Sequence, residues 1–334
     1  AGVRRPGELV LRYAGREEHL PRADEATLAS ALARLVRTGS PWLVALRGHG
    51  ERDLLGSADT DLGQFGRLLE TQGFRLVALS LTETPQIPDN TAALIVAAPD
   101  QDLNAAEQRR LADWLEHGGA LLWLAERPLP EALAQRLGLA TLPGRVVDAA
   151  AADAGLDDPT VAVSARHPAH PSLGTVEAPL LFPGALAWEE TAQEDWRTWQ
   201  LAASSPRSWN ETGTVRGRVA REAAAGERAG PLPLALAFTR AHAAGEQRVA
   251  VVGDVDWLSD AWLGRGANRQ FGVGLVRWLT AQHGLLEAPL AEPPDQRIAW
   301  SPALGGAAAV LWLLLAPLGL ALTGLWVRAH RRRG

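Results

Sequence analysis

Cysteine is absent from the 334-residue chain. A disulfide framework, a Cys nucleophile, a thiolate metal site and an iron–sulfur cluster are therefore excluded. Lysine is absent too, so all 33 basic residues are arginine. With the abundant Ala and Gly, this reads as a bias toward GC-rich codons rather than a functional choice. Methionine is missing even at position 1, so the chain is expected to begin inside a longer gene product or after processing. Positive charge is in deficit: 33 basic against 38 acidic residues give a net charge of −5. Phosphate neutralisation needs a basic surface, so nucleic acid is not expected as a partner. Hydrophobic residues at 47% and charged residues at 21% exclude a disordered, collagen-like or coiled-coil chain.

One long apolar run is present. Residues 302–327, PALGGAAAVLWLLLAPLGLALTGLWV, carry no charge. A bilayer core of ~30 Å takes about 20 apolar residues, so this run predicts a transmembrane helix. Pro317 is tolerated in such a span, and Trp312 and Trp326 suit its two interfaces. Arg328, His330, Arg331, Arg332 and Arg333 follow immediately, while Glu292, Asp295 and Arg297 lie on the other side. The arginine excess places the tail 328–334 in the cytoplasm and the rest of the chain outside it.

Ahead of the span the pattern divides the chain. Residues 1–40 predict strands at Glu8–Tyr13 and Glu18–Leu20 and a helix over Glu25–Arg37, packing on the core. Residues 41–140 alternate apolar strands (42–46, 74–81, 92–98 and 120–125) with amphipathic helices (61–72 and 104–117, the second capped by Asn104). Strands apolar throughout and separated by helices predict a doubly wound, mainly parallel α/β sheet covered on both faces. Residues 141–284 form a second, smaller α/β portion. It starts irregularly, with a strand at 160–164, and regains periodicity in strands at 234–238 and 248–252 and a helix at 268–282. The Pro- and acid-rich stretch 285–301 is a juxtamembrane linker.

Candidate chemistry gathers after two strands. Gly48, His49, Gly50 and Glu51 follow strand 42–46, where loops beyond strand carboxyl ends form the ligand crevice of an open α/β sheet. Two glycines let a ligand approach the backbone, and His49 is able to carry a proton. The alternative is a flexible turn with a solvated histidine. Gly-His-Gly is neither a phosphate-cradling P-loop nor a G-x-G-x-x-G turn, so no nucleotide cofactor is implied. Asp254 and Asp256 follow strand 248–252 and either hold a hard cation or cap the next turn. His167 and His170 lack a third ligand at a suitable spacing. A hydrolase needs a nucleophile on a strained turn. Strand 92–98 instead ends in Ala97-Ala98-Pro99-Asp100, and G-x-S-x-G occurs nowhere. Trp188, Trp196, Trp199 and Trp209 leave a carbohydrate-binding face as an alternative.

The order of motifs resembles a known family. Gly48–Glu51 (GHGE), Ile87–Asn90 (IPDN), Ala98-Pro99, the Leu111–Leu124 pattern, Val251–Asp260 (VVGDVDWLSD), Asn268 and Val276–Leu279 (VRWL) are similar to the GldG-like auxiliary domain of gliding-motility ABC transport systems. The resemblance implies a bacterial inner-membrane subunit with an extracytoplasmic domain, working without catalysis or cofactor beside an ABC permease and ATPase. It also implies a class I glutamine amidotransferase-like core without the catalytic Cys. Two rival readings remain: an extracytoplasmic glycan-binding module and a degenerate amidotransferase-like hydrolase.

Overall fold

A strand buried on both faces has to be apolar through its length, and the chain supplies WLVAL, AALIVA and LLWL among such segments. In the computed structural model they are β1 (Trp42–Leu46), β3 (Thr91–Ala97) and β4 (Leu121–Leu124), with β2 (Arg75–Leu79) as a less buried edge strand between them in the chain. The structure describes residues 41–281 except 175, 192, 194, 217, 218 and 244, together with 9–13, 16–20, 28, 31 and isolated positions between 312 and 330. β5 (Arg197–Ala203), β6 (Pro233–His242) and β7 (Gly245–Val252) complete a seven-stranded sheet. Its order is β5-β6-β7-β4-β3-β1-β2.

Five of these strands, β2, β1, β3, β4 and β7, run parallel. β6 and β5 are antiparallel additions on one side. The sheet is thus mixed, with a parallel majority. Residues 41–140 and 141–284, expected as two α/β portions, share it, because β7 lies parallel against β4. A strand of the second portion fits there because VAVV, at 249–252, is as apolar as LLWL.

Alternation along the strands sends neighbouring side chains to opposite faces. Val44, Leu94, Leu121, Trp123 and Val249 share one core cluster with Leu111 and Leu115 of α2 (Ala105–Glu116) and Leu133 and Leu137 of α3 (Glu131–Leu137). Leu43, Ile95 and Leu122 are equally buried on the other face. There α1 (Gly63–Thr71) meets α4 (Asn268–Leu279), which also contacts β3, β4 and β7. Gly272 makes that meeting possible, since a Cβ on it would come within 2.7 Å of Leu258 and 2.9 Å of Phe65.

The region that lacks clear periodicity folds into three short antiparallel ribbons, 139–141 with 188–190, 145–148 with 208–211 and 161–164 with 180–183. Polar side chains organise them. Buried Asp148 accepts from the N–H groups of Ala150, Val163 and Ser205 at 2.9, 3.1 and 3.0 Å and from the Ser205 hydroxyl at 2.5 Å. Asn268, fully buried at the start of α4, accepts from the Leu181 N–H at 3.0 Å and donates to the Leu181 and Trp257 carbonyls at 3.0 Å each. Its place in the VVGDVDWLSD…N sequence is therefore structural: it pins a ribbon to the turn after β7.

The two N-terminal strands pair as an antiparallel hairpin, Leu9–Tyr13 with Arg16–Leu20. The helix expected at Glu25–Arg37 lies outside the described residues except for helical positions 28 and 31. Leu290–Gly334 form a separate unit, described only at isolated positions where Trp312, Leu318, Leu322 and Trp326 are exposed. The linker 285–301 and most of the span expected at 302–327 therefore lie outside the described residues. Among the described residues, no helix is long and apolar enough to cross a membrane.

Asn268→Ala strands one buried N–H and two carbonyls at about 1–3 kcal/mol each before relaxation. Urea unfolding followed by circular dichroism should show a loss of about 3 kcal/mol. A loss under about 0.5 kcal/mol, the level of an ordinary surface change, would remove Asn268 from this structural role.

Candidate functional site

The parallel strands run in the order β2-β1-β3-β4-β7, so their connections reverse direction between β1 and β3. Ligands of open α/β sheets bind beyond the strand carboxyl ends at such a switch point. Gly48, His49, Gly50 and Glu51 leave β1 at that place. Gly48 holds φ +118° and Gly50 φ +80°, conformations that favour glycine. The chain uses them to fold back onto β3 instead of leaving an opening. The His49 carbonyl accepts from the N–H groups of Asp100 and Gln101 at 2.8 and 3.0 Å, and the Arg52 N–H donates to the Ala97 carbonyl at 2.9 Å. A Cβ on Gly50 would stand 2.9 Å from the Cβ and Oδ2 of Asp100.

His49 is buried, not the solvated loop residue that a glycine-flanked histidine suggests. Its Nε2 lies 3.0 Å from Oε2 of Glu107, and its backbone N–H donates to Glu51 Oε2 at 2.8 Å. Nδ1 faces Glu51 Oε1 at 3.6 Å, and neither atom has a hydrogen-bond partner among the described residues. The glycines shape the turn, but the helix behind it locks the ring. Glu107 is the third residue of α2 and completes a capping box with Asn104, accepting the Asn104 N–H at 2.8 Å. It also accepts from the Thr82 hydroxyl at 2.7 Å. Burial works against the ionised form of Glu107, but the donors from Thr82, Asn104 and His49 outweigh it and hold its carboxyl below the ordinary value.

The turn after β3 carries a second strained position. Ala98 adopts φ +53°, costly for a residue with a Cβ, and donates its N–H to the Leu124 carbonyl at 2.8 Å. A sharp strand-end turn of this kind can present a nucleophile, and here it presents a buried methyl group.

Asp254 and Asp256 lie after β7. Fully buried Asp254 accepts the Asp256 N–H at 2.7 Å, so the turn-capping reading describes it. The cluster extends to Glu126, just past β4, which accepts from the Val255 N–H at 3.2 Å and pairs with Arg145 at 3.0 Å. Arg52 reaches Asp256 at 3.3 Å, so the loop after β1 touches this cluster as well. Burial pushes the Asp254 carboxyl well above the ordinary range, and the charges of Glu126 and Asp256 push the same way. Burial also raises Glu126, against the pull of Arg145. Among the described residues, no group of three or more His, Asp or Glu is placed to hold a metal ion.

The other candidates are dispersed. His170 Nδ1 meets the Ser172 hydroxyl at 2.8 Å and its ring sits edge-on to Trp278, while burial lowers the pKa of His167. Trp188 and Trp196 are core residues, Arg197 covers the Trp199 ring at 4.1 Å, and Trp209 donates to Glu211 at 2.9 Å. Trp188 and Trp196 therefore present no exposed ring face. Glu107, Thr82, Glu126, Arg52 and Arg145 are the site residues that sequence reading passed over. The Asn104-x-x-Glu107 capping box was the one available signal for any of them.

The fold and site thus define an α/β protein with a parallel core in the order β2-β1-β3-β4-β7 and a closed switch point. The chain belongs to the family described as Domain of unknown function (DUF4350), whose model matches residues 62–276. No curated protein matches it. Among solved structures it is similar to the mmIFT52 N-terminal domain, 15% identical over 71% of this chain and 97% of that one, with a TM-score of 0.54. At that identity the likeness is one of fold. A ThuA-like protein from Bacteroides uniformis is 14% identical over 74% of this chain and 95% of its own, with a TM-score of 0.45. Another from Parabacteroides merdae is 12% identical over 75% and 93%, with a TM-score of 0.43.

Glu107 and Asp254 titrate with opposite consequences. Glu107, lowered in the fold, stabilises above the ordinary carboxylate range and loses that contribution as pH falls through its folded value. Asp254, raised in the fold, costs stability as pH rises from the ordinary value through the raised one. Asp254→Asn keeps the acceptor for the Asp256 N–H and removes the titration. Its urea midpoint should exceed the parent's at pH 7, with the gap shrinking toward pH 4. A gap independent of pH would show that Asp254 ionises normally.

Gly50→Ala meets both a positive φ and Asp100. It should destabilise the protein by about 1–3 kcal/mol, in line with strain at such positions. An unchanged thermal midpoint would mean the loop is not closed onto β3.

Proposed function

We propose that the chain is a membrane-anchored extracytoplasmic subunit that acts by contact rather than catalysis, as the auxiliary subunit of an ABC transporter. The observation that carries this reading is the closed switch point. Where this fold would admit a substrate, the loop after β1 is bonded to the end of β3, and His49 is buried against Glu107. The turn at Ala98 keeps a left-handed backbone but offers only a methyl group. This supports kinship with the class I glutamine amidotransferase-like fold in a form without its nucleophile. The permease and ATPase as partners rest on the resemblance to GldG-like auxiliary domains. The bacterial inner membrane as location rests on that resemblance and on the uncharged run at 302–327 with its arginine tail.

Two measurements test the proposal. Tagged full-length chain, extracted in mild detergent, should bring an ABC permease and ATPase with it, and a reporter fused after Gly334 should be active in the cytoplasm. Purification without either subunit, or a reporter active only outside, refutes the assignment. The full chain should also show no amide or ester hydrolysis above background. A turnover that His49→Ala lowers ~100-fold, as loss of a general base would, would make the protein an enzyme. His49→Ala should itself cost about 1–3 kcal/mol of stability, because it removes a buried bond to Glu107.

A further inference from the structure

An imidazole has two ring nitrogens to satisfy, and the fold sets a carboxylate against each nitrogen of His49. Glu107 Oε2 stands 3.0 Å from Nε2, and Glu51 Oε1 stands 3.6 Å from Nδ1. The donors from Thr82 and Asn104 hold Glu107 ionised, so Nε2 carries a hydrogen and donates it. On the other side the gap is too long for a hydrogen bond, and Nδ1 and Oε1 each lack a partner among the described residues. Both side chains are out of water there, 10% exposed for His49 and 3% for Glu51. Two lone pairs facing each other in that setting repel, and one added proton turns the repulsion into a charge-assisted bond.

The surrounding charges do not supply that compensation. Among the described residues no arginine pairs with Glu51: Arg47 pairs with Glu83 at 3.4 Å, Arg52 with Asp256 at 3.3 Å and Arg127 with Asp102 at 2.7 Å. Asp100, in the turn after β3 and beside Gly50, adds a further negative charge. Among the described residues His49 is thus the one group against Glu51 able to carry positive charge. Loss of a proton from Nδ1 leaves the bond between Nε2 and Glu107 as it was. It acts on Glu51, whose other oxygen accepts the His49 N–H at 2.8 Å. A buried carboxylate without a counter-charge costs several kcal/mol, and turning Glu51 out to solvent removes that cost at the expense of one backbone bond.

We infer that His49 and Glu51 form a proton latch: one proton shared between Nδ1 and Oε1 keeps Glu51 folded over the loop after β1, and its loss to solvent as pH rises swings Glu51 outward and bares the His49 N–H. Folding takes up that proton, so the latch adds stability at low pH and loses it as pH rises. The loop stays on β3 and His49 stays on Glu107 in both states. What changes is the face that the switch point shows to a partner. The inference rests on the closed switch point and not on the partners assigned to the chain, so it and the co-purification fail separately.

Glu51→Gln tests the latch, because its amide donates to Nδ1 while its carbonyl still accepts the His49 N–H, with no shared proton required. Nitrogen NMR of labelled histidine, on the full chain in detergent, follows His49 between about pH 5 and 8, where histidine changes charge. The parent should hold the second proton of His49 at least ~10-fold more tightly than Glu51→Gln, the scale of one charge-assisted hydrogen bond. Exchange of the His49 amide, corrected for its intrinsic rate, should quicken as pH rises in the parent and stay level in Glu51→Gln. The urea midpoint should fall further with pH in the parent than in the variant, since Asp254 acts alike in both. Glu83→Gln removes an exposed carboxylate of the neighbouring loop and should behave as the parent. Equal proton affinity in parent and Glu51→Gln, amide exchange independent of pH in the parent, or a Glu83→Gln effect as large as that of Glu51→Gln overturns the latch. If Glu51→Gln does not fold, the amide exchange of the parent decides alone.

Discussion

Glu107 is fully buried, and a carboxylate in that position without partners would cost several kcal/mol. It is held by the Thr82 hydroxyl, the Asn104 N–H and His49 Nε2. Those three donors come from the loop after β2, the N-cap of α2 and the loop after β1. One ion therefore fixes the start of a helix and two loops at the carboxyl end of the sheet. The closed switch point follows from this. With its ring committed to Glu107, His49 places its carbonyl against Asp100 and Gln101, and the loop has no freedom to open a crevice. Removing the carboxylate would leave a histidine and a threonine hydroxyl unpaired together, so the loop, the cap and the ring form one coupled unit.

The neighbouring acidic cluster solves a different problem. Asp254, Glu126 and Asp256 come together because β4 and β7 are adjacent and each ends in an acidic residue within a few positions. Arg145 and Arg52 compensate two of the three. Among the described residues Asp254 pairs with no cation and keeps one oxygen unpartnered, and burial raises its pKa well above the ordinary range. Protonation is the cheapest neutralisation available to it. The sheet order thus creates the electrostatic conflict, and the arginines relieve only its solvent-facing part.

Much of the fold was legible in the sequence, because the parallel core is written in uninterrupted apolar runs. WLVAL, AALIVA and LLWL have no polar side to present, so only a sheet covered on both faces can use them. The Asn104 cap was readable for a similarly local reason. The single sheet joining 41–140 to 141–284 was not readable, because nothing in VAVV at 249–252 names LLWL as its neighbour; the pairing is decided by packing across about 130 residues of chain. The site shows the same division. Glycine at positions 48 and 50 announced a turn, and the structure bears that out. The burial of His49 depended on Glu107, 58 residues away, and the sequence shows that residue only as a helix-capping glutamate. The ribbons at 139–211 escaped because buried polar side chains such as Asp148 hold them, and hydrophobic periodicity says nothing about such contacts.

Both ends of the sheet leave buried polar groups unpaired. At the carboxyl end His49 and Thr82 bond to Glu107, and Arg52 and Arg145 pair with Asp256 and Glu126, yet His49 Nδ1, Glu51 Oε1 and Asp254 Oδ2 keep no hydrogen-bond partner among the described residues. At the amino end a cavity opens beside Thr91, whose buried hydroxyl has no partner among the described residues and no access to that space. Folding alone gains nothing from that hydroxyl: valine fills the same volume without the desolvation cost. The switch point carries the same kind of cost at three buried atoms, so its closure is held by the backbone bonds from the loop after β1 to the end of β3 and by the Glu107 network, not by complete pairing.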